Sequence, residues 1–370
     1  MDPVGPPVDS LIDQCVLTDQ CVLTARSVGT VDPVVGTARG ATTPRFGGGV
    51  DSVDDVPSAL DDLASGVRRG IADAVRARVA GPHADHRAAE VWAAPGPRWF
   101  PADRPVHVVH ADAAMFIGGM RAVLFQSLHP VAMAGVAEHS AYREDPWGRL
   151  QRTADFLAAT TFGPADVAER AVERVRAVHR HVRGTTADGR PYAADDPHLL
   201  AWVHLAEVDS FLAAHQRYGA RRLGPAEADG YVADLATIAR RLGVPDPPVD
   251  VAGLRRRLAA YRPELRGTPL ARDAARFLFT PPLPAVARAP YAVGFAAAVG
   301  LLPWWARAAL WIPPFTPLGD TAVRTATQGL VELLRWALSD RPEMAMPEAP
   351  APAPAPAPGS DGSEPTARHR

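Results

Sequence analysis

Residues 163–184 read GPADVAERAVERVRAVHRHVRG, and this stretch decides the fold class. Pro164 suits the first position of a helix, Asp166 stands in a first turn whose free amides favour an anion, and Gly184 offers a left-handed stop. Val172, Val175, His179 and Val182 follow at spacings of three, four and three, so they share one helical stripe. Arg176 and Arg183 flank that stripe, while Glu169, Glu173 and Arg180 turn to solvent. An imidazole among valines has two readings. It is a hydrogen-bonded core histidine, or it is an iron ligand whose neighbouring guanidinium groups meet the acidic edge of a haem.

Outward from this helix the composition is of one kind. The 370 residues are 47% hydrophobic and 22% charged, enough to bury a sizeable core. Abundant alanine and arginines at helical spacing predict an all-α protein with close interhelical contacts, in one large domain or two small ones. A net charge of -2 gives no global pull on nucleic acid. The absence of a phosphate-binding loop, a zinc signature or a basic stripe argues against an ATPase, a zinc hydrolase or a nucleic-acid protein. Cys15 and Cys21 are the only cysteines and both fall in a polar N-terminal segment, so no disulfide framework is expected. No basic leader with an apolar run opens the sequence. Arg288, Pro290, Pro303 and Arg307 interrupt the most membrane-like run, 285–314. That run suits a membrane surface better than a span, and the expected location is cytoplasmic with peripheral membrane contact.

In chain order, residues 1–58 carry the repeat DQCVLTDQCVLT at 13–24 without sustained periodicity and read as flexible. A helix is expected at 59–80 with Leu60, Leu63, Val67, Ile71 and Val75 on one face. In 112–128, Met115, Phe116, Gly119, Ala122, Val123 and Gln126 share a broad face. Gly118 and Gly119 remove bulk there, for a packed helix or for a flat ligand. His129-Pro130 forces a break, and Asp145-Pro146 caps and starts a helix that groups Arg149, Arg152 and Thr153. Such a cluster is surface charge beside a packing threonine, or it binds a carboxylate or polarises oxygen. Asp196-Pro197 starts the next helix, on which Leu200, His204, Val208, Phe211 and His215 line one side and Trp202 lies elsewhere, with Gly219 as its stop. His204 is a core group or a distal-pocket donor. Trp304, Trp305 and Trp311 suit a ligand wall, a partner or the core. The body is expected to run over 59–341, and the proline-alanine tail 342–370 to be extended.

Three stretches, GGMRAVLFQSLHPVAMAGVAEHSAYREDPWGRLQRTADFL (118–157), VRAVHRHVRG (175–184) and DPHLLAWVHLAEVDSFLAAHQRYG (196–219), carry a resemblance over roughly 99–336. The chain resembles the haem-dependent oxygenase superfamily that includes latex-clearing rubber oxygenases and the membrane-associated oxygenase of mycophenolic acid biosynthesis. The resemblance implies a large single-domain helical bundle holding haem b, with His179 as proximal iron ligand and Arg176 and Arg183 toward the cofactor's carboxylates. The arginine, lysine and threonine signature of the distal side is similar to Arg149, Arg152 and Thr153. Arg152 stands where lysine is usual, which keeps the charge and changes the shape. His129 and His139 fall in the shared block as structural or tuning groups.

The function so implied is a haem b-dependent oxidoreductase, an oxygenase using dioxygen on an apolar alkene, terpenoid or lipid-like molecule. Two alternatives stand beside it: a non-catalytic haem-binding or redox-sensing protein, and a cofactor-free lipid-binding bundle.

Overall fold

The computed structural model describes residues 55–82 and 84–339, and it is helical almost throughout. The first helices are α1 (Asp55–Val79), α2 (Ala84–Ala88) running into a π-helical turn (Ala89–Ala93), α3 (Pro105–His110), α4 (Met115–Gln126) and α5 (Pro130–His139). Next come α6 (Pro146–Phe162), α7 (Ala165–His181), and a small hairpin of β1 (Arg183–Thr185) and β2 (Pro191–Ala193). Then follow α8 (Pro197–Tyr218), α9 (Pro225–Leu242), α10 (Val251–Tyr261) with a 3-10 turn (Arg262–Glu264), α11 (Pro269–Phe279), α12 (Ala285–Leu301), α13 (Trp304–Ala309) and α14 (Pro317–Leu338). The bundle is all-α, as expected. The segments 1–54 and 342–370, with Cys15, Cys21 and the repeat, lie outside the described residues.

Proline and an oxygen-bearing cap explain many of the starts. Asp145 accepts the Gly148 N–H at 2.8 Å, Asp196 the His198 N–H at 2.8 Å and Thr268 the Ala271 N–H at 3.1 Å. Each satisfies an amide that has no carbonyl partner within its helix, worth about 1 kcal/mol. The proline that follows has no amide to lose. Gly243, at φ 103°, closes α9 in the left-handed region that glycine alone enters freely. Gly219 does not do so for α8: its backbone is extended.

At the centre α4 and α8 lie against each other. Gly118 permits this, because a Cβ there would stand 2.5 Å from the Phe211 ring. Phe211 therefore occupies the space that the glycine opens, and close helix packing accounts for that residue. Arg121 is buried beside it. Its guanidinium donates to Asp209 Oδ2 at 2.7 Å, Ser210 Oγ at 2.7 Å and the Leu301 carbonyl at 3.1 Å, tying α4, α8 and α12 together. Trp202 is fully buried against Phe125, Leu124 and Leu205 with its indole N–H on the Gln126 carbonyl. The single apolar side expected for α8 is thus too narrow, since a helix enclosed by neighbours is apolar nearly all round. The opposite correction holds for α1. Leu63 and Val67 are exposed, so this part of its expected apolar face lies largely open among the described residues.

Around this pair, α12 packs on α4, and α14 on α12 and α1. The helices α9 and α10 cover α8. The helices α6 and α7 form a hairpin about Gly163 that rests on α1, α3 and α9, without close packing on α4 or α8.

Candidate functional site

The hairpin sets the geometry of the candidate residues. With Asp155 of α6 in the field of Arg174 of α7, the first turns of α6 run along the last turns of α7. Arg149, Arg152 and Thr153 therefore sit at the same end as Arg176 and His179. The helix stops earlier than its sequence suggests. Pro164 is the residue before α7, and α7 ends at His181. Gly184 is no left-handed stop, because the β-hairpin takes it and pairs it with Tyr192. A Cβ on Gly184 would meet the Tyr192 ring. Val182 and Arg183 consequently leave the helical stripe.

His179 is half-buried, and its side chain makes no hydrogen bond among the described residues. Burial lowers its pKa below the ordinary imidazole range, with the nearby Asp195 carboxylate pulling the other way, so the ring is neutral at pH 7. Arg176 is exposed without an ion-pair partner among the described residues. Arg183 is exposed and pairs with Asp195 at 2.9 Å.

The three residues on α6 are not equivalent. Arg149 is half-buried, and burial first and Arg152 second depress its pKa. Its guanidinium donates to Ser140 Oγ, and no carboxylate balances its charge among the described residues. Arg152 is exposed and pairs with Asp145 at 3.4 Å. Thr153, also exposed, donates back to the Arg149 carbonyl at 3.0 Å.

Tyr192 organises this corner and escaped the sequence reading. Its hydroxyl donates to Glu138 and receives the His139 Nε2–H at 3.0 Å, while Gly135 and Gly184 lie against its ring. Glu138, His139 and Ser140 end α5 just where Arg149 arrives. Farther along, His204 and Glu207 stand one turn apart on α8. Burial takes the His204 imidazole down to about 4 and leaves its Nε2 without a partner. Burial pushes the Glu207 carboxyl up to about 7, and that carboxyl makes no hydrogen bond among the described residues. Proton transfer at neutral pH favours a pKa in that range. His129 lies apart, at the cap of α5. A cleft of about 300 Å³ at the far end of α8, lined by Val108, Asp112, His215 and Arg221 among others, contains none of the candidate residues.

The residues fit a haem in their donor set: a neutral, unbonded imidazole on an apolar helix face and an unpaired cation, Arg176, three positions before it. Comparison with protein families decides the class. Residues 106–336 match the family described as the ER-bound oxygenase mpaB/B'/Rubber oxygenase, catalytic domain.

The chain belongs to this family.

As a member of the rubber oxygenase/mpaB-like family it is an enzyme of the oxygenase class, and the family brings with it the capacity to bind haem. No curated protein and no solved structure matched the chain. No helix among the described residues is long and apolar enough to cross a membrane.

Proposed function

We propose that the unit 59–341 is a haem b oxygenase in which His179 is the axial iron ligand and an apolar small molecule is the second substrate beside dioxygen. One observation carries the reading: His179 is a neutral imidazole, half-enclosed, with both ring nitrogens free of hydrogen bonds, in a chain of this family. Bound haem supplies the iron that reacts with dioxygen, chemistry that side chains alone do not provide.

The remaining roles fall to residues of the chain. Arg176, a cation without an ion-pair partner among the described residues, would balance a carboxylate of the cofactor, and Arg183, beside Asp195, would support it. Asp195 acts on the His179 ring through its charge, without a hydrogen bond to it among the described residues. Arg149, half-buried and without a carboxylate partner among the described residues, would donate to negative charge that develops on oxygen. Arg152 and Thr153 support it, Arg152 by its charge and Thr153 by anchoring its turn. Val123 and Val203, on the central pair yet 40% and 37% exposed, offer apolar surface to the substrate. Exposed Phe279, Val286 and Trp304 support contact with a membrane from which such a substrate is drawn.

The test is quantitative haem analysis with absorption spectra on wild type and on His179→Ala, Arg149→Gln and Arg152→Gln. His179→Ala loses most of its haem and its axial-ligand spectrum. Arg149→Gln keeps its haem and consumes dioxygen at least ten-fold more slowly, with a smaller loss for Arg152→Gln. Equal haem and an identical spectrum in His179→Ala would refute the assignment.

A further inference from the structure

Three ligand-type side chains from separate elements converge where α5 and α8 begin. They are His129, the residue before α5; His198, the second residue of α8; and Glu264, in the 3-10 turn after α10. One ligand atom from each lies within 4.8 Å of the others. His198 Nε2 is 2.9 and 3.1 Å from the two Glu264 oxygens, and His129 Nε2 is 3.3 Å from Oε2.

Tyr261 fixes how His198 enters this convergence. Its O–H donates to the His198 carbonyl at 2.8 Å, and the same phenolic oxygen sits 3.2 Å from His198 Nδ1. A stacked Tyr261 ring, 4.6 Å away between centroids, holds the imidazole in this pose. The Nδ1 side of the ring is thus engaged by Tyr261, and Nε2 is turned toward both Glu264 oxygens.

The geometry points to a divalent transition-metal site made by His129 Nε2, His198 Nε2 and the Glu264 carboxylate, separate from the haem and independent of the His179 reading. Two imidazoles and a carboxylate form a zinc-like donor set rather than the all-oxygen set of magnesium or calcium. Metal–ligand bonds of about 2.0–2.1 Å in a tetrahedron put ligand atoms about 3.4 Å apart. The His198–Glu264 and His129–Glu264 separations of 2.9 and 3.3 Å reach that spacing with shifts of a few tenths of an ångström, and the ligand atoms of the two imidazoles lie within 4.8 Å of each other. The His198 and Glu264 side chains are 52% and 42% exposed, which gives the ion an entry path and a water for the fourth position. His129 adjusts most. Its Nδ1 now accepts from the Ala132 N–H at a long 3.3 Å, and metal on Nε2 moves the proton to Nδ1 and releases that contact. The ion staples the starts of α5 and α8 to the end of α10.

The experiment uses the full-length, haem-loaded protein, treated with EDTA and titrated with zinc chloride by calorimetry, with bound zinc counted by mass spectrometry. One equivalent of zinc is expected, with a rise in Tm that EDTA reverses. Glu264→Gln and His198→Ala each weaken binding at least ten-fold, and an unchanged haem spectrum certifies their fold. His181→Ala, at an exposed histidine bonded to its own helix, binds zinc as wild type does. Absence of stoichiometric zinc overturns the proposal and leaves a proton between His198 and Glu264. Wild-type affinity in both Glu264→Gln and His198→Ala overturns it equally.

Discussion

Arg121→Ala tests whether the scaffold is held as described. The wild-type guanidinium makes three hydrogen bonds, to Asp209, Ser210 and the Leu301 carbonyl, and its charge lies 5.2 Å from the Phe125 ring centroid. Its side chain is 4% exposed against 27% for Asp209. Removing one partner of a buried pair costs about 3–5 kcal/mol, because the other is left uncompensated. Asp209 reaches water, so part of that penalty is relieved and the low end applies, about 3 kcal/mol. Arg121→Met refills the volume with apolar atoms and leaves Asp209 free to turn outward, so its loss is smaller, about 1–2 kcal/mol. Urea denaturation followed by circular dichroism gives both values from midpoint shifts at a common slope. A loss below about 1 kcal/mol for Arg121→Ala, or a larger loss for Arg121→Met than for Arg121→Ala, would show that this network does not hold the three helices.

Neighbouring glycines separate space from propensity. Gly118→Ala puts a methyl 2.5 Å from the Phe211 ring and 3.1 Å from its Cα, and overpacking of that kind destabilises by about 1–3 kcal/mol. Gly119→Ala meets Phe211 only at 4.0 Å and gains up to about 1 kcal/mol of helix propensity, so the two substitutions move the urea midpoint in opposite directions. Glu207→Gln changes the pH dependence of stability. Burial raises the folded-state pKa to about 7, above an unfolded value of about 4.3, so the native state binds the extra proton. Wild type therefore loses stability as pH rises through that window. Glu207→Gln is the more stable protein at pH 8, and the difference disappears near pH 4; a wild type whose stability rises over the same window would reverse the assignment.

What could be read from the sequence was local. Asp145-Pro146, Asp196-Pro197 and Thr268-Pro269 announce their helices because cap and proline act within one turn. His179 on a valine stripe is legible for the same reason, since three- and four-residue spacings are all that a helix face requires. The helix end was not, because Gly184 answers to Tyr192 across a hairpin rather than to its own neighbours. Arg121 carries no local sign of its burial, because Asp209 and Leu301 reach it from helices distant in sequence. The His129–Glu264 contact joins residues 135 positions apart, and no spacing rule reaches that far. Glu207 was hidden differently: a carboxylate on a largely apolar helix is informative only once its burial is known.

The α6–α7 hairpin, braced at its flanks by α1, α3 and α9 and only loosely apposed to the central pair, divides the molecule by the cost of opening it. Swinging that hairpin outward breaks none of the Arg121 bonds and leaves Phe211 seated on Gly118. Residues 146–181 are thus expected to exchange their amides with solvent through a smaller excursion than global unfolding requires. Arg149, Thr153, Arg176 and His179 all ride on this unit. The groups proposed to meet a ligand belong to the part of the chain that opens at lower cost, and the part that stays shut carries the fold.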